Sequence, residues 1–114
     1  MINRLDVLNK YERHCAYCGK VITLKTMQVD HIIPKSRSQH MNISVNDFSN
    51  LNPACKSCNY YKTSYTIEEF RHLIKTLHDR IVIPYINRVA IDYGVITVTP
   101  FDGIFYFEKY NKEI

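Results

Sequence analysis

Asn50-Leu51-Asn52-Pro53-Ala54-Cys55-Lys56-Ser57-Cys58-Asn59 ends on the second of two Cys-x-x-Cys pairs; the first stands at Cys15-Ala16-Tyr17-Cys18-Gly19. Each pair puts two sulfurs on one side of a tight knuckle, and two knuckles complete the tetrahedron of a Zn–S₄ site. Gly19 supplies the backbone freedom the first knuckle requires. A lone pair would leave buried or redox-active cysteines as good an explanation; two pairs favour zinc at Cys15, Cys18, Cys55 and Cys58. Four thiolates fill the coordination sphere and leave no position for water, so such a zinc is structural. Between the pairs lie 36 residues, more than the roughly 15–20 of a simple zinc ribbon. Something else must be folded there, and the chemistry must sit away from the zinc.

The rest of the composition sets bounds. At 114 residues the chain is long enough for one domain and too short for two independent ones. Hydrophobic content of 46% and charged content of 23% are those of a globular protein. No apolar run reaches the ~20 residues of a membrane span, and Met1-Ile2-Asn3-Arg4 opens no signal peptide. These features predict an intracellular protein with no membrane partner, where paired cysteines read as metal ligands. The net charge of +4 is unevenly spread: nine Lys/Arg against four Asp/Glu up to residue 62, then six against seven. A zinc on four thiolates would take two charges from the first part, leaving it modestly basic, enough to follow a phosphate backbone weakly and salt-sensitively.

Along the chain, Leu5, Leu8 and Tyr11 recur at helical spacing behind a capping Asn3, predicting a short helix over residues 3–13. Residues 21–33 are rich in Val, Ile and Thr and read as strand. Residues 34–50 read as a polar loop, residues 51–54 as a short strand, and a helix is expected to start near Cys55. Thr66-Ile67-Glu68-Glu69 is a capping box. It opens a helix whose face carries Phe70, Leu73, Ile74, Leu77 and Ile81. Pro84 ends that helix and starts another, which runs to Tyr93 with Gly94 as its stop. Residues 95–99 and 104–110 read as two strands joined by the turn Pro100-Phe101-Asp102-Gly103, a C-terminal β-hairpin. Ile104, Tyr106 and Tyr110 of that hairpin offer a possible edge for a homodimer. Nothing after residue 62 stands out chemically; that portion supplies core and shape.

The long insert between the knuckles carries Val29-Asp30-His31-Ile32-Ile33-Pro34-Lys35-Ser36. Singly, its residues mean little: an isolated His is more often hydrogen-bonded structure than a base, and an isolated Asp or Asn usually caps or turns. Together, Asp30 and Asn59 offer the hard oxygen ligands that Mg²⁺ prefers, few enough to leave room for phosphate and water. His31 brings a nitrogen base whose ordinary pKa, about 6.5, suits deprotonation of water. Side chains alternate along a strand, so Asp30 and His31 point to different sides unless the strand bends or twists.

In that order — Asp-His at the end of a first strand, a long loop, Asn-Leu, a second strand, a helix bearing Asn — residues 11–64 resemble the ββα-metal motif of HNH endonucleases, in its zinc-knuckle branch. The resemblance implies an α+β fold: a ββα-metal (HNH, His-Me finger) core over residues 1–64 stapled by a Cys₄ zinc site, within a single nuclease domain of residues 1–114. Residues 65–114 then add the C-terminal helices and hairpin, and are similar, more loosely, to the extension of small phage-encoded HNH proteins. It further implies a DNA phosphodiester hydrolase that nicks, with His31 as general base, Asp30 and Asn59 on one catalytic divalent metal, Mg²⁺ or Mn²⁺, and Asn50 tying loop to strand to orient His31. Lys62, one turn beyond Asn59, is a candidate phosphate contact; Lys35, Arg37 and Lys56 are looser ones. Two departures from the pattern stand out. The third motif position is Asn59, an alternative to the more frequent His that favours Mg²⁺ or Mn²⁺. The loop after Pro34 lacks the usual Gly-Gly and is a few residues longer; its His40 reads as solvated. The competing reading is a zinc-stapled nucleic-acid-binding or phage packaging-accessory module without strong activity. RNA cleavage would use the same site chemistry. The sequence leaves open homing, packaging, restriction and toxin contexts.

Overall fold

The structure, a computed structural model, describes residues 1–112. Helix α1 (Arg4–Asn9) is capped as expected, the Asn3 side chain accepting from the Asp6 amide at 3.1 Å. It ends at Asn9, short of residue 13, because Glu12 and Arg13 turn the chain with positive φ of 52° and 66° into the first knuckle. Its buried face, Val7 and Leu8, together with Tyr11, opens a core that continues through Ala16, Ile22, Met27, Leu51 and Ala54.

The strand expected over 21–33 contracts to β1 (Gln28–His31). Val21 keeps a single bridge to His14, and a turn built on Thr23 and Thr26 interrupts the stretch. β1 pairs antiparallel with β2 (Leu51–Ala54), register Gln28↔Ala54, Val29↔Pro53, Asp30↔Asn52 and His31↔Leu51. Directly opposed residues share a face, so Asp30 and Asn52 lie on one side of the ribbon and His31 on the other. The connecting stretch 32–50 holds two short 3₁₀ turns, Lys35–Arg37 and Phe48–Asn50. Helix α2 (Lys56–Lys62) follows with Cys55 as its N-cap, the sulfur accepting from the Cys58 amide at 3.4 Å. The ββα succession of the expected core is thus present.

Beyond it, α3 (Ile67–Lys75) carries the full Thr66/Glu69 capping box. It stops at Thr76, so the helix expected to run to residue 81 is two: α4 (Leu77–Arg80) resumes after a break. The Thr76 hydroxyl and the Arg80 guanidinium both donate to the Leu73 carbonyl, at 3.0 and 2.7 Å, satisfying an acceptor the broken helix leaves open. Phe70 is buried in the core, whereas Leu77 and Ile81 are exposed. Helix α5 (Tyr85–Asp92) follows Pro84, with Gly94 just beyond it at φ 72°.

The C-terminal β-hairpin does not form. Residues 95–105 contain no strand, and residues 106–112 are helix α6 (Tyr106–Lys112). The turn at Asp102 is real, its carboxylate accepting from the Ile104 amide at 3.0 Å, but a helix leaves it. Glu108 is the cause: its side chain accepts from the Phe105 amide at 2.9 Å, half of a capping box, while its other contacts go to Arg71. The Tyr106 and Phe107 amides donate to the Tyr17 and Ala16 carbonyls, at 3.1 and 2.7 Å, so the segment docks on the first knuckle. Gly19 (φ 81°) makes room for it: a Cβ there would lie 2.7 Å from the Tyr106 ring. Tyr17, Phe70, Phe105 and Phe107 then stack edge and face at 5.3–6.2 Å between centroids, a packing worth more than its buried area. Residues 113 and 114 of the expected C-terminal segment lie outside the described residues. No helix among the described residues is long and apolar enough to cross a membrane.

Candidate active site

The two knuckles meet. The sulfurs of Cys15, Cys18, Cys55 and Cys58 all lie within 4.8 Å of one another, and Cys18 Sγ sits 3.8 Å from Cys55 Sγ. A tetrahedron with Zn–S of about 2.3 Å has an edge of about 3.8 Å, whereas a disulfide needs about 2.05 Å. The group fits the ion that two Cys-x-x-Cys pairs imply: these four thiols could bind a metal such as zinc. Hydrogen bonds from Cys18 and Cys58 hold the Cys15 thiol well below its ordinary range. The bond to Cys15 pushes Cys18 up to about 11 and Cys58 further up. Only a cation among the sulfurs would hold all four as thiolates.

The second site lies at the end of β1. A cavity of about 720 Å³ is lined by Asp30, His31, Lys35, Ser36, Asn59 and Tyr60, among others. β1 delivers Asp30 and His31, and the first turn and a half of α2 delivers Asn59. Asn59 is half-buried, and its side-chain amide makes no hydrogen bond among the described residues, so its oxygen is available. His31 is half-exposed, its Nε2 2.8 Å from Asn46 Oδ1. This contact orients the imidazole at the edge of the cavity.

Asp30 is only 3% exposed. Tyr17 Oη donates to its Oδ2 at 2.5 Å, and Lys62 Nζ lies 3.3 Å from Oδ1 and 3.1 Å from Oδ2. A carboxylate offers about four lone-pair positions; these contacts take three and leave one for a metal, which the residues present therefore fit. Burial pushes the Asp30 carboxyl above its ordinary range, while the Lys62 ammonium and the Tyr17 hydroxyl pull it back. Burial and then the Asp30 charge push the Tyr17 hydroxyl well up, keeping it a donor. Asn52, opposite Asp30, completes the group by donating to Tyr17 Oη at 3.3 Å. Its own Oδ1 is buried without a partner among the described residues.

Asn50 sits behind the loop. Its Oδ1 accepts from the Ile33 amide at 2.8 Å, and its Nδ2 donates to the Ile33 and Val45 carbonyls at 3.1 and 2.9 Å. One buried amide thereby ties both ends of the 33–45 loop to the start of β2.

Residues 15–64, the knuckles and the cavity together, match the family model for HNH endonuclease. That stretch is where the chain is similar to HNH endonucleases. The chain is also similar to the Type II-C Cas9 enzyme from Actinomyces naeslundii: 26% identity, TM-score 0.52, over 79% of this chain and 10% of that one. The chain thus spans about a tenth of that enzyme's length. No curated protein matches it.

Around this site the candidate DNA contacts divide. Lys35 lines the cavity. Arg37 is held by Glu69 at 2.8 Å in a pair that remains half in solvent, so little binds it there. Lys56 is exposed at the start of α2 but stands outside the cavity lining. Lys62 corrects the expectation: it is fully buried, bonded to Asp30 and to the His31 and Ile32 carbonyls, and presents nothing to a phosphate. Position 62 falls on the side of α2 that packs under β1, because the apolar stem is drawn into the core by the Asp30 charge. Tyr17 and Asn46, which touch Asp30 and His31, are neighbours of the candidate site that sequence reasoning missed. Tyr17 reads as an arbitrary x in Cys-x-x-Cys, and Asn46 as one more polar loop residue.

Proposed function

We propose that this chain is a metal-dependent endonuclease that hydrolyses DNA phosphodiester bonds, working as one unit in which residues 65–114 brace an HNH core over residues 1–64. The observation that carries the reading is the convergence of a histidine oriented by Asn46, a buried carboxylate and an amide without a hydrogen-bond partner among the described residues on one open cavity. Zinc on Cys15, Cys18, Cys55 and Cys58 has a structural role, since it has no free coordination position.

In this reading Asp30 and Asn59 hold one divalent ion, Mg²⁺ or Mn²⁺, in the cavity. When bound, that ion supplies a Lewis acid that offsets charge building on the phosphate and on the departing oxygen. The His31 imidazole takes a proton from the attacking water, and the water's oxygen bonds to phosphorus as the bond to the 3′-oxygen breaks. That oxygen leaves with a proton from solvent, giving 5′-phosphate and 3′-hydroxyl ends. Asn46 orients the imidazole, Asn50 fixes the strand end, and Lys35 stands where a flanking phosphate would pass. One site cuts one strand, so a monomer nicks.

Supercoiled plasmid incubated with the zinc-loaded protein and Mg²⁺ or Mn²⁺ tests this, beside a chelator control and His31→Ala. The expected result is metal-dependent open-circular product from wild type and a loss of 10²-fold or more in the variant, the scale of general-base catalysis. Equal, intact plasmid in every lane across metals would favour a binding module instead, and preferential loss of an RNA substrate would reassign the substrate.

A further inference from the structure

Lys62, expected with Lys35, Arg37 and Lys56 to meet DNA, is a lysine with no exposed surface. Its ammonium has three hydrogens and three destinations: the Asp30 carboxylate, the His31 carbonyl at 3.1 Å and the Ile32 carbonyl at 3.4 Å. All three belong to the chain segment that ends in the cavity. Asp30 and Asn59 line that cavity and Lys62 does not, so the ammonium stands behind the carboxylate while the open position stands in front. Removing one partner of a buried ion pair leaves an uncompensated charge, among the most expensive defects a core can carry.

We propose that Lys62 is the internal counter-cation of the cavity: it neutralises Asp30 while a divalent metal is away and competes with that metal for the same carboxylate. This rests on the reading of Asp30 as a metal ligand. It makes Lys62 a positioning residue that acts through Asp30 and touches no substrate. Two consequences follow. The HNH core needs no catalytic metal to fold, because its one buried carboxylate is already paired. A metal entering the cavity meets a carboxylate already shared with a positive charge, so it binds weakly and exchanges readily.

The experiment compares wild type, Lys62→Met, Lys62→Gln and Asp30→Asn, all zinc-loaded. Free Mn²⁺ is followed by its electron paramagnetic resonance signal, and melting by calorimetry with and without Mn²⁺. Lys62→Gln drops the charge while keeping donors for the two carbonyls, and carries the test if Lys62→Met is too unstable. Without metal both Lys62 variants are expected to melt roughly 10 °C or more below wild type. Their Mn²⁺ Kd is expected to tighten about tenfold or more as the competing charge is removed. Mn²⁺ should accordingly raise their melting temperatures by more than it raises that of wild type. Asp30→Asn should lose the Mn²⁺ site. A merely structural lysine would lower the melting point and leave the affinity unchanged or weaker. That result would overturn the proposal while leaving the metal reading intact, as would failure of saturating Mn²⁺ to rescue both variants. Absence of Mn²⁺ binding by all four proteins would overturn both.

Discussion

Asn50 offers a quantitative test of how the loop is held to the strand. In Asn50→Ala three hydrogen bonds vanish: those with the Ile33 amide (2.8 Å), the Ile33 carbonyl (3.1 Å) and the Val45 carbonyl (2.9 Å). The side chain is 4% exposed, but its partners lie at the protein edge, where water can replace part of what is lost. At about 1 kcal/mol for each bond, the substitution costs about 3 kcal/mol. For a chain of this size, about 4 °C per kcal/mol places the melting temperature about 12 °C lower. Activity should fall with it. His31 is two residues from Ile33, and its Nε2 partner Asn46 is next to Val45, so releasing both anchors frees base and orienting partner together. Calorimetry, amide exchange at Ile33 and plasmid nicking below the melting range measure the three effects. Asn59→Ala is the contrast, since its side chain makes no hydrogen bond among the described residues: melting should stay within about 1 °C while nicking is lost. If Asn50→Ala melted within about 2 °C of wild type with Ile33 still protected, the clamp would not exist and the reasoning would fail.

Three further outcomes are expected. Purified protein should carry close to one zinc per chain, and Cys18→Ser or exhaustive chelation should unfold it; metal-free protein with an unchanged melting curve would rule out the staple. Asn46→Ala should lower kcat by about 10- to 100-fold with little change in melting, the scale of losing a partner that orients a ligand or base, and an unchanged kcat would show that Asn46 does not orient His31. Arg71 and the Phe105 amide hold the Glu108 carboxyl below its ordinary 4.5. A depressed carboxyl contributes stability that is present above the unfolded value and lost as pH falls through the folded one. Glu108→Gln should therefore melt lower than wild type at pH 7 and lose less on acidification below pH 4.5; parallel curves would show that the pair does not brace α6.

What the sequence determined by itself is the part written in short spacings. Each Cys-x-x-Cys pair places two sulfurs on one side of a turn, and two such pairs point to a tetrahedral sulfur site before any fold is known. The Thr66/Glu69 capping box, the Asn3 cap and the Pro84 and Gly94 boundaries were legible for the same reason: each is satisfied within one turn of backbone. His31, Asp30 and Asn59 could be nominated by residue type, and their roles came from a family resemblance. Only the tertiary structure decided how those residues are held. Residues 104–110 alternate well enough for a strand, yet they form none. The carbonyls of the first knuckle and the guanidinium of Arg71, far away in sequence, reward a helix instead. Lys62, one turn beyond Asn59, reads as a phosphate contact and is buried, because a carboxylate 32 residues earlier arrives over it when β1 packs on α2. Tyr17 is bound to that carboxylate through the same approach. Local geometry is encoded where it is used, whereas pairing of buried charge depends on which segments meet, and that is settled only when the core closes.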